Sequence, residues 1–184
     1  MLNTSFLDWK FVGIVLCFVI LGASCKDNAQ PIEKTKWDFL VDGEWELKNG
    51  VIEPSVKVEI FGTEVVIESY WDMMAALNGG AVSDCQKDDL MIFKADSSVT
   101  LDEGPTKCDS FDPQEEDGGD WLIRENDTEL VFTSFPYDPL LQERVLRVIN
   151  LTSTELKLEM DYRFRLLGSD STDHIIKLDF ENVK

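Results

Sequence analysis

The sequence predicts an all-β fold, an antiparallel meander closing as a barrel or a sandwich, with one short helix. Three observations carry it. After residue 37, apolar and polar residues alternate with period two in run after run. Turn signals recur roughly every ten residues, dividing the chain into about nine or ten short strands. Only one later segment has a helical composition. The length, 184 residues, suits one domain.

In chain order, residues 11–21 (FVGIVLCFVIL) come first. This apolar run is too short to span a bilayer but has the length of a secretory h-region, with Lys10 flanking it. It ends in Gly22-Ala23-Ser24-Cys25, which resembles a bacterial lipobox. That resemblance implies a signal peptide over residues 1–24 and a lipidated Cys25 as the first mature residue. Several acyl chains would then tether the protein to a membrane without spanning it. Residues 25–36 are polar, contain one proline and show no periodicity, so they read as a flexible tether. The folded domain is expected over residues 37–184.

Period two then takes over. Val56, Val58 and Ile60 alternate with Lys57 and Glu59, and Gly62-Thr63 is a plausible hairpin turn before the return over 64–70. Trp71–Leu77 followed by Asn78-Gly79-Gly80 has helix formers and then a C-cap signal, so it reads as the one short helix or as a loop. Leu90–Ala95 and Val99–Glu103 flank an Asp96-Ser97-Ser98 turn. Trp121–Arg124 and Glu129–Ser134 flank a polar turn at 125–128, and Glu143–Asn150 is another strand-like run. The cleanest alternation is Leu156–Leu166, whose partner is His174–Phe180.

Cysteine usage follows from the compartment. A secreted chain meets an oxidising environment. Cys17 would leave with the signal peptide and Cys25 would be acylated, which leaves Cys85 and Cys108. Neither belongs to a CxxC, and the single histidine, His174, is remote in sequence, so a metal knuckle or a redox site is disfavoured. Folding the hairpin about Asp96/Ser97 sets Cys85 opposite Cys108, and a disulfide staple of roughly 3 kcal/mol is expected.

The formal charge is −19, and it stays so after loss of residues 1–24, which carry one Lys and one Asp. Nucleic-acid binding is disfavoured, because the basic footprint for phosphate is missing. Binding to anionic lipid heads is disfavoured too, which leaves attachment to the acyl anchor.

The motif set points to one family. Gly43-Glu44-Trp45 resembles the lipocalin Gly-x-Trp signature, in which the tryptophan closes the bottom of a barrel. Combined with the lipobox, Cys85-x-x-Asp88-Asp89-Leu90-x-x-Phe93-x-x-Asp96, Asp102-Glu103-Gly104-x-x-x-Cys108-Asp109 and Gly119-x-Trp121, the pattern is similar to the lipocalin-like lipoproteins of Bacteroidota over roughly residues 39–166. The resemblance implies a meandering lipocalin or calycin-like barrel of about 8 to 10 strands, with Val51–Tyr70 as an additional hairpin. It also implies an outer-membrane lipoprotein, on the periplasmic face or at the cell surface.

Two functions follow as alternatives. One is a ligand binder that takes a small apolar or amphipathic molecule among Trp45, Phe93, Leu101, Phe132, Tyr162 and Phe164. The other is a non-catalytic interaction module of the cell envelope, in which the same residues fill a packed core. No nucleophile elbow, HExxH, P-loop or GxGxxG is present, so neither an enzyme nor a cofactor is expected. The expected partners are the membrane, through Cys25, and a small apolar ligand, with the protein as a monomer. Asp109–Asp120 carries six carboxylates. It reads as a solvated loop, with Asp109, Asp112, Glu115, Glu116 and Asp117 as candidate calcium ligands and Asp84, Asp88 and Asp89 brought near by the disulfide. His174 reads as a solvated strand-end residue, and Asp170-Ser171-Thr172 resembles an O-glycosylation site.

Overall fold

The alternating runs at 156–162 and 174–180 become adjacent staves of a closed barrel. The structure, a computed structural model, describes residues 34–60, 62–134, 144–163 and 172–184. The signal peptide, Cys25, nearly all of the tether, Phe164 and Ser171 lie outside the described residues. The strands are β1 (Trp45–Ile60), β2 (Thr63–Ser69), β3 (Leu90–Phe93), β4 (Ser98–Asp102), β5 (Glu115–Arg124), β6 (Glu129–Ser134), β7 (Arg144–Leu151), β8 (Glu155–Tyr162) and β9 (His174–Asn182). Two short helices, α1 (Lys36–Asp42) and α2 (Tyr70–Asn78), and a 3-10 turn at Asp84–Gln86 complete them.

Every ladder is antiparallel. β3 to β9 pair in sequence, and β1 closes the ring by pairing with both β9 and β3, which gives eight barrel strands with β2 added outside. Closure removes the unpaired edges that would otherwise template aggregation. β1 does two jobs along its length. Trp45 to Glu53 run beside β9, and Val51 and then Val56 to Ile60 run beside β2 on the other edge. The β9 ladder ends at Glu53, before Pro54, which has no N–H for a ladder.

The register sets the core. Leu156, Leu158 and Met160 face Phe180, Leu178 and Ile176 across β8–β9, and Ile52 faces Ile176 across β1–β9. All are buried, in one cluster with Trp45, Phe93, Val99, Trp121, Leu130, Phe132 and Leu146. At roughly 1.5–3 kcal/mol for each large apolar side chain removed from water, this cluster dominates the fold's stability. The hairpin's apolar face, Val56, Val58 and Ile67, belongs to the same cluster, as does Met73 of α2.

Helix α2 forms where its composition points, with a capping box between Ser69 and Asp72 and Gly79 as the left-handed C-cap at φ 70°. A second helix, α1, is added to the single one expected. Its Thr35/Asp38 capping box starts it, and it buries Leu40. The β1–β2 turn lies one residue earlier than expected. Ile60 pairs with Thr63, which leaves Gly62 inside the turn at φ 79°. The 125–128 turn forms as expected, with Glu125, Asn126 and Asp127 all at positive φ. The acidic stretch departs from expectation, since Glu115–Asp120 is not loop but the first half of β5.

Candidate ligand site

The two ends of the barrel differ in chemistry. At the first, the tryptophan end, α1 lies beside the start of β1 and the β3–β4, β5–β6 and β7–β8 turns. The Trp45 indole donates to the Leu40 carbonyl at 2.9 Å, and the Trp121 indole donates to the Lys94 carbonyl at 3.2 Å. A Cβ on Gly43 would stand 2.6 Å from the Trp45 ring, which is why glycine precedes that tryptophan. Phe93 packs edge-on against Trp121 at 5.7 Å and beside Phe132 at 6.0 Å. The Lys36 ammonium reaches the Asp127 carbonyl, joining α1 to the β5–β6 turn.

At the opposite, loop end, the inward positions change character. Phe132 pairs with Arg144 across β6–β7, and Tyr162 pairs with His174 across β8–β9. Continuing the β7–β8 register outward from Arg147↔Glu159 sets Arg144 against Tyr162. Arg144 shares a strand face with buried Leu146, and Tyr162 shares one with Leu158 and Met160. The last rung therefore runs Arg144, Tyr162, His174, all pointing inward, and Phe132, which pairs with both Arg144 and Trp121, joins it to the tryptophan end. His174 is 1% exposed, and its Nδ1 lies 2.7 Å from the Pro54 carbonyl. A carbonyl only accepts, so Nδ1 carries the proton. The expectation of a solvated histidine is thus corrected. His174 starts its strand, but on the parity of Ile176 and Leu178.

Tyr70, at the start of α2, packs beside Gly50, which pairs with Leu178 two inward positions below His174. Its Cβ lies so close to Gly50 that no side chain fits there, and Leu178 flanks the same glycine. Burial pushes the Tyr70 phenol above its ordinary value, while the positive charge of Arg144 pulls it back down.

The side chains expected to line a ligand divide between the ends. Trp45 and Phe93 are 0% exposed, and Phe132 is 4% exposed. A group with no accessible surface touches no ligand without repacking, so Trp45 and Phe93 serve as floor. Leu101 and Tyr162 remain half-buried; Leu101 sits opposite Met91 across β3–β4 and Tyr162 lies on the last rung. Phe164 lies outside the described residues. Sequence reasoning missed Arg144, Tyr70, His174 and Met91. The signal for Arg144 was its parity with Leu146 and Val148.

Outside the barrel at this end, Cys85 in the 3-10 turn is bonded to Cys108 with a Cα–Cα distance of 5.2 Å. The staple is the expected one, although the β3–β4 register is Leu90↔Asp102, one residue from that expected, and the ladder stops short of the cysteines. Beside it, the Oδ1 atoms of Asp88 and Asp89 are buried without a hydrogen-bond partner. Burial first, then the charges of Glu103, Asp88, Asp102 and Glu116, push the Asp89 carboxyl up to about 6. Of the calcium candidates, Asp109 accepts from the Phe111 N–H and Asp117 from the Gly119 N–H, as turn-forming groups do. Glu115 and Glu116 are neighbours on β5 and so point to opposite faces, and Asp112 lies in the preceding loop. Among the described residues no group of three or more His, Cys, Asp or Glu is placed to hold a metal ion. No helix of the described residues is long and apolar enough to cross a membrane.

No protein-family model matches the chain, and no curated protein matches it at a significant level.

Proposed function

We propose that the protein is a membrane-anchored, lipocalin-like lipoprotein that binds a small apolar or amphipathic ligand through the loop end of its barrel. The observation that carries the reading is the contrast along the barrel axis. The tryptophan end holds fully buried Trp45, Phe93 and Leu40, while Tyr162 and Arg144 on the last rung, and Met91 and Leu101 beside Trp45 on β3–β4, are inward-facing yet only half-buried. A blind apolar floor under a few convergent polar groups is the usual pattern of a small-molecule site. The fold alone names no activity, so the reading rests on that gradient.

Attachment is through acyl chains on Cys25 at the outer membrane, and the lipobox-like Gly22-Ala23-Ser24-Cys25 supports it. The reading is of a binding module without catalysis. Radiolabelled palmitate should enter the wild-type protein in cells and not the Cys25→Ser variant; equal labelling contradicts the anchor. Native mass spectrometry of the detergent-extracted full-length mature protein tests the ligand. A co-purifying mass beyond the acylated chain supports binding. A bare chain that also fails to take up added 1-dodecanol favours the packed interaction module instead.

A further inference from the structure

Closure of the barrel leaves one strand edge open among the described residues. β2 lies at the outside of the sheet order, and its ladder partner there is β1 alone. Ile60 and Thr63 close a two-residue turn, so alternation along the ladder turns the N–H and C=O groups of Glu64, Val66 and Glu68 away from β1. The same three residues are exposed, Val66 to 40%. Their side chains lie on the outer face, because Val65 and Ile67 pack inward opposite Val58 and Val56. β2 is seven residues long and holds no proline, so nothing in its backbone blocks a further strand.

We propose that the β2 edge receives an extended, lysine-bearing segment of a partner protein as an additional antiparallel strand. The pattern of β2 dictates that of the partner. Opposite Glu64 and Glu68 it needs cations, and opposite Val66, between them, an apolar side chain. Opposite Val65 and Ile67 it needs apolar residues as well, which extend the inner face of the hairpin. Opposite charges facing each other across two strands stabilise the pairing, and like charges destabilise it. Main-chain hydrogen bonds supply the affinity, and the alternate side chains choose the partner.

Charge decides against a second copy of the chain as the occupant. Two β2 edges meeting antiparallel about Val66 would set Glu64 of each copy opposite Glu68 of the other, in two chains that each carry −19. The glutamates thus guard the edge against its own kind and leave it open to a basic strand. Lys57 reaches Glu64 at 3.1 Å from β1, with both side chains 64% exposed, so this ion pair is solvated and can be exchanged for one with the partner. The proposal is independent of any ligand inside the barrel.

The test is fluorescence anisotropy with labelled heptapeptides on the detergent-extracted full-length mature protein. Acetyl-TKVIVKT-amide should bind, and acetyl-TEVIVET-amide should bind at least about ten-fold more weakly. N-methylation of the central isoleucine, which removes the N–H facing Val66, should abolish binding. N-methylation of a neighbouring valine, whose N–H faces away from β2, should not. The Glu64→Lys/Glu68→Lys variant, altered only at exposed positions, should reverse the preference between the two peptides. An unbound lysine peptide, or a preference unchanged in that variant, overturns the proposal. Equal binding of the two N-methylated peptides overturns it as well, since charge would then act without strand pairing. Wild type that self-associates in sedimentation, and loses this with Val66→Pro, gives the edge to a second copy and overturns it too. The wild-type peptide comparisons need no variant to fold.

Discussion

The tryptophan end and the loop end are built from the same strands, yet they solve opposite problems. At the tryptophan end the Trp45 and Trp121 indoles donate to backbone carbonyls, while the buried Trp37 indole of α1 has no partner; the connections are tight turns, and Trp45, Phe93 and Leu40 have no exposed surface. At the loop end the inward groups are Arg144, Tyr162 and His174, two buried aspartate oxygens lack partners, and a disulfide takes over where the β3–β4 ladder stops. Stability is concentrated where the interior is dry and aromatic. Polar groups with a potential use sit where packing is looser. Proteins commonly place their low-stability elements at binding sites in this way.

Mutations should expose the difference. Trp45→Ala removes the floor and should cost about 3–5 kcal/mol, whereas Tyr162→Ala at the other end should cost about 1–2 kcal/mol. Equal losses in urea titrations would erase the distinction. Breaking the Cys85–Cys108 bond, by reduction or by the double serine variant, should cost roughly 3 kcal/mol. Hydrogen exchange should then quicken at 84–89 and 103–114 and stay slow in β8 and β9. A uniform rise would mean that the staple acts on the whole barrel.

A smaller effect concerns Asp89, whose carboxyl is pushed up to about 6. A carboxyl with a raised folded-state pKa binds its proton more tightly folded than unfolded. Its contribution is therefore most favourable below the unfolded value and is lost as the pH rises through about 6. Asp89→Asn should stabilise the protein at pH 7.5 by on the order of 1 kcal/mol, the shift being discounted for partial solvent screening, and by nothing at pH 4. Thermal melts at both values check it, and a gain of the same size at pH 4 would assign the effect to something other than charge. Smallest of all, Thr35→Ala should remove the α1 cap for about 0.5–1 kcal/mol, felt only at the tryptophan end.

What could be read from the sequence follows how strictly a side chain's parity matched its polarity. β8 and β9 were legible because every second residue is apolar and pairs with its like. α2 was legible from its composition and Gly79. The start of β5 was not. Glu115, Asp117 and Asp120 are exposed, and inward-packed Gly118 stands where a Cβ would be 2.8 Å from Val99. Neither face then shows an apolar residue, so a strand reads as an acidic loop. α1 was missed because seven residues show too little periodicity, although its Thr35/Asp38 cap was visible. His174 was misjudged because a polar residue after a turn reads as solvated, and Arg144 was missed, while parity alone places them with Ile176 and Leu146.

The division of labour between the ends is tested most directly by NMR on the full-length mature protein, with labelled methyl groups and indole N–H as probes, during titration with 1-dodecanol. The expected result is large shifts at Leu101 and around Tyr162, saturating together, with the Trp45 indole N–H unmoved. Shifts led by the Trp45 and Trp121 indoles, or no shift in any interior group, would contradict it.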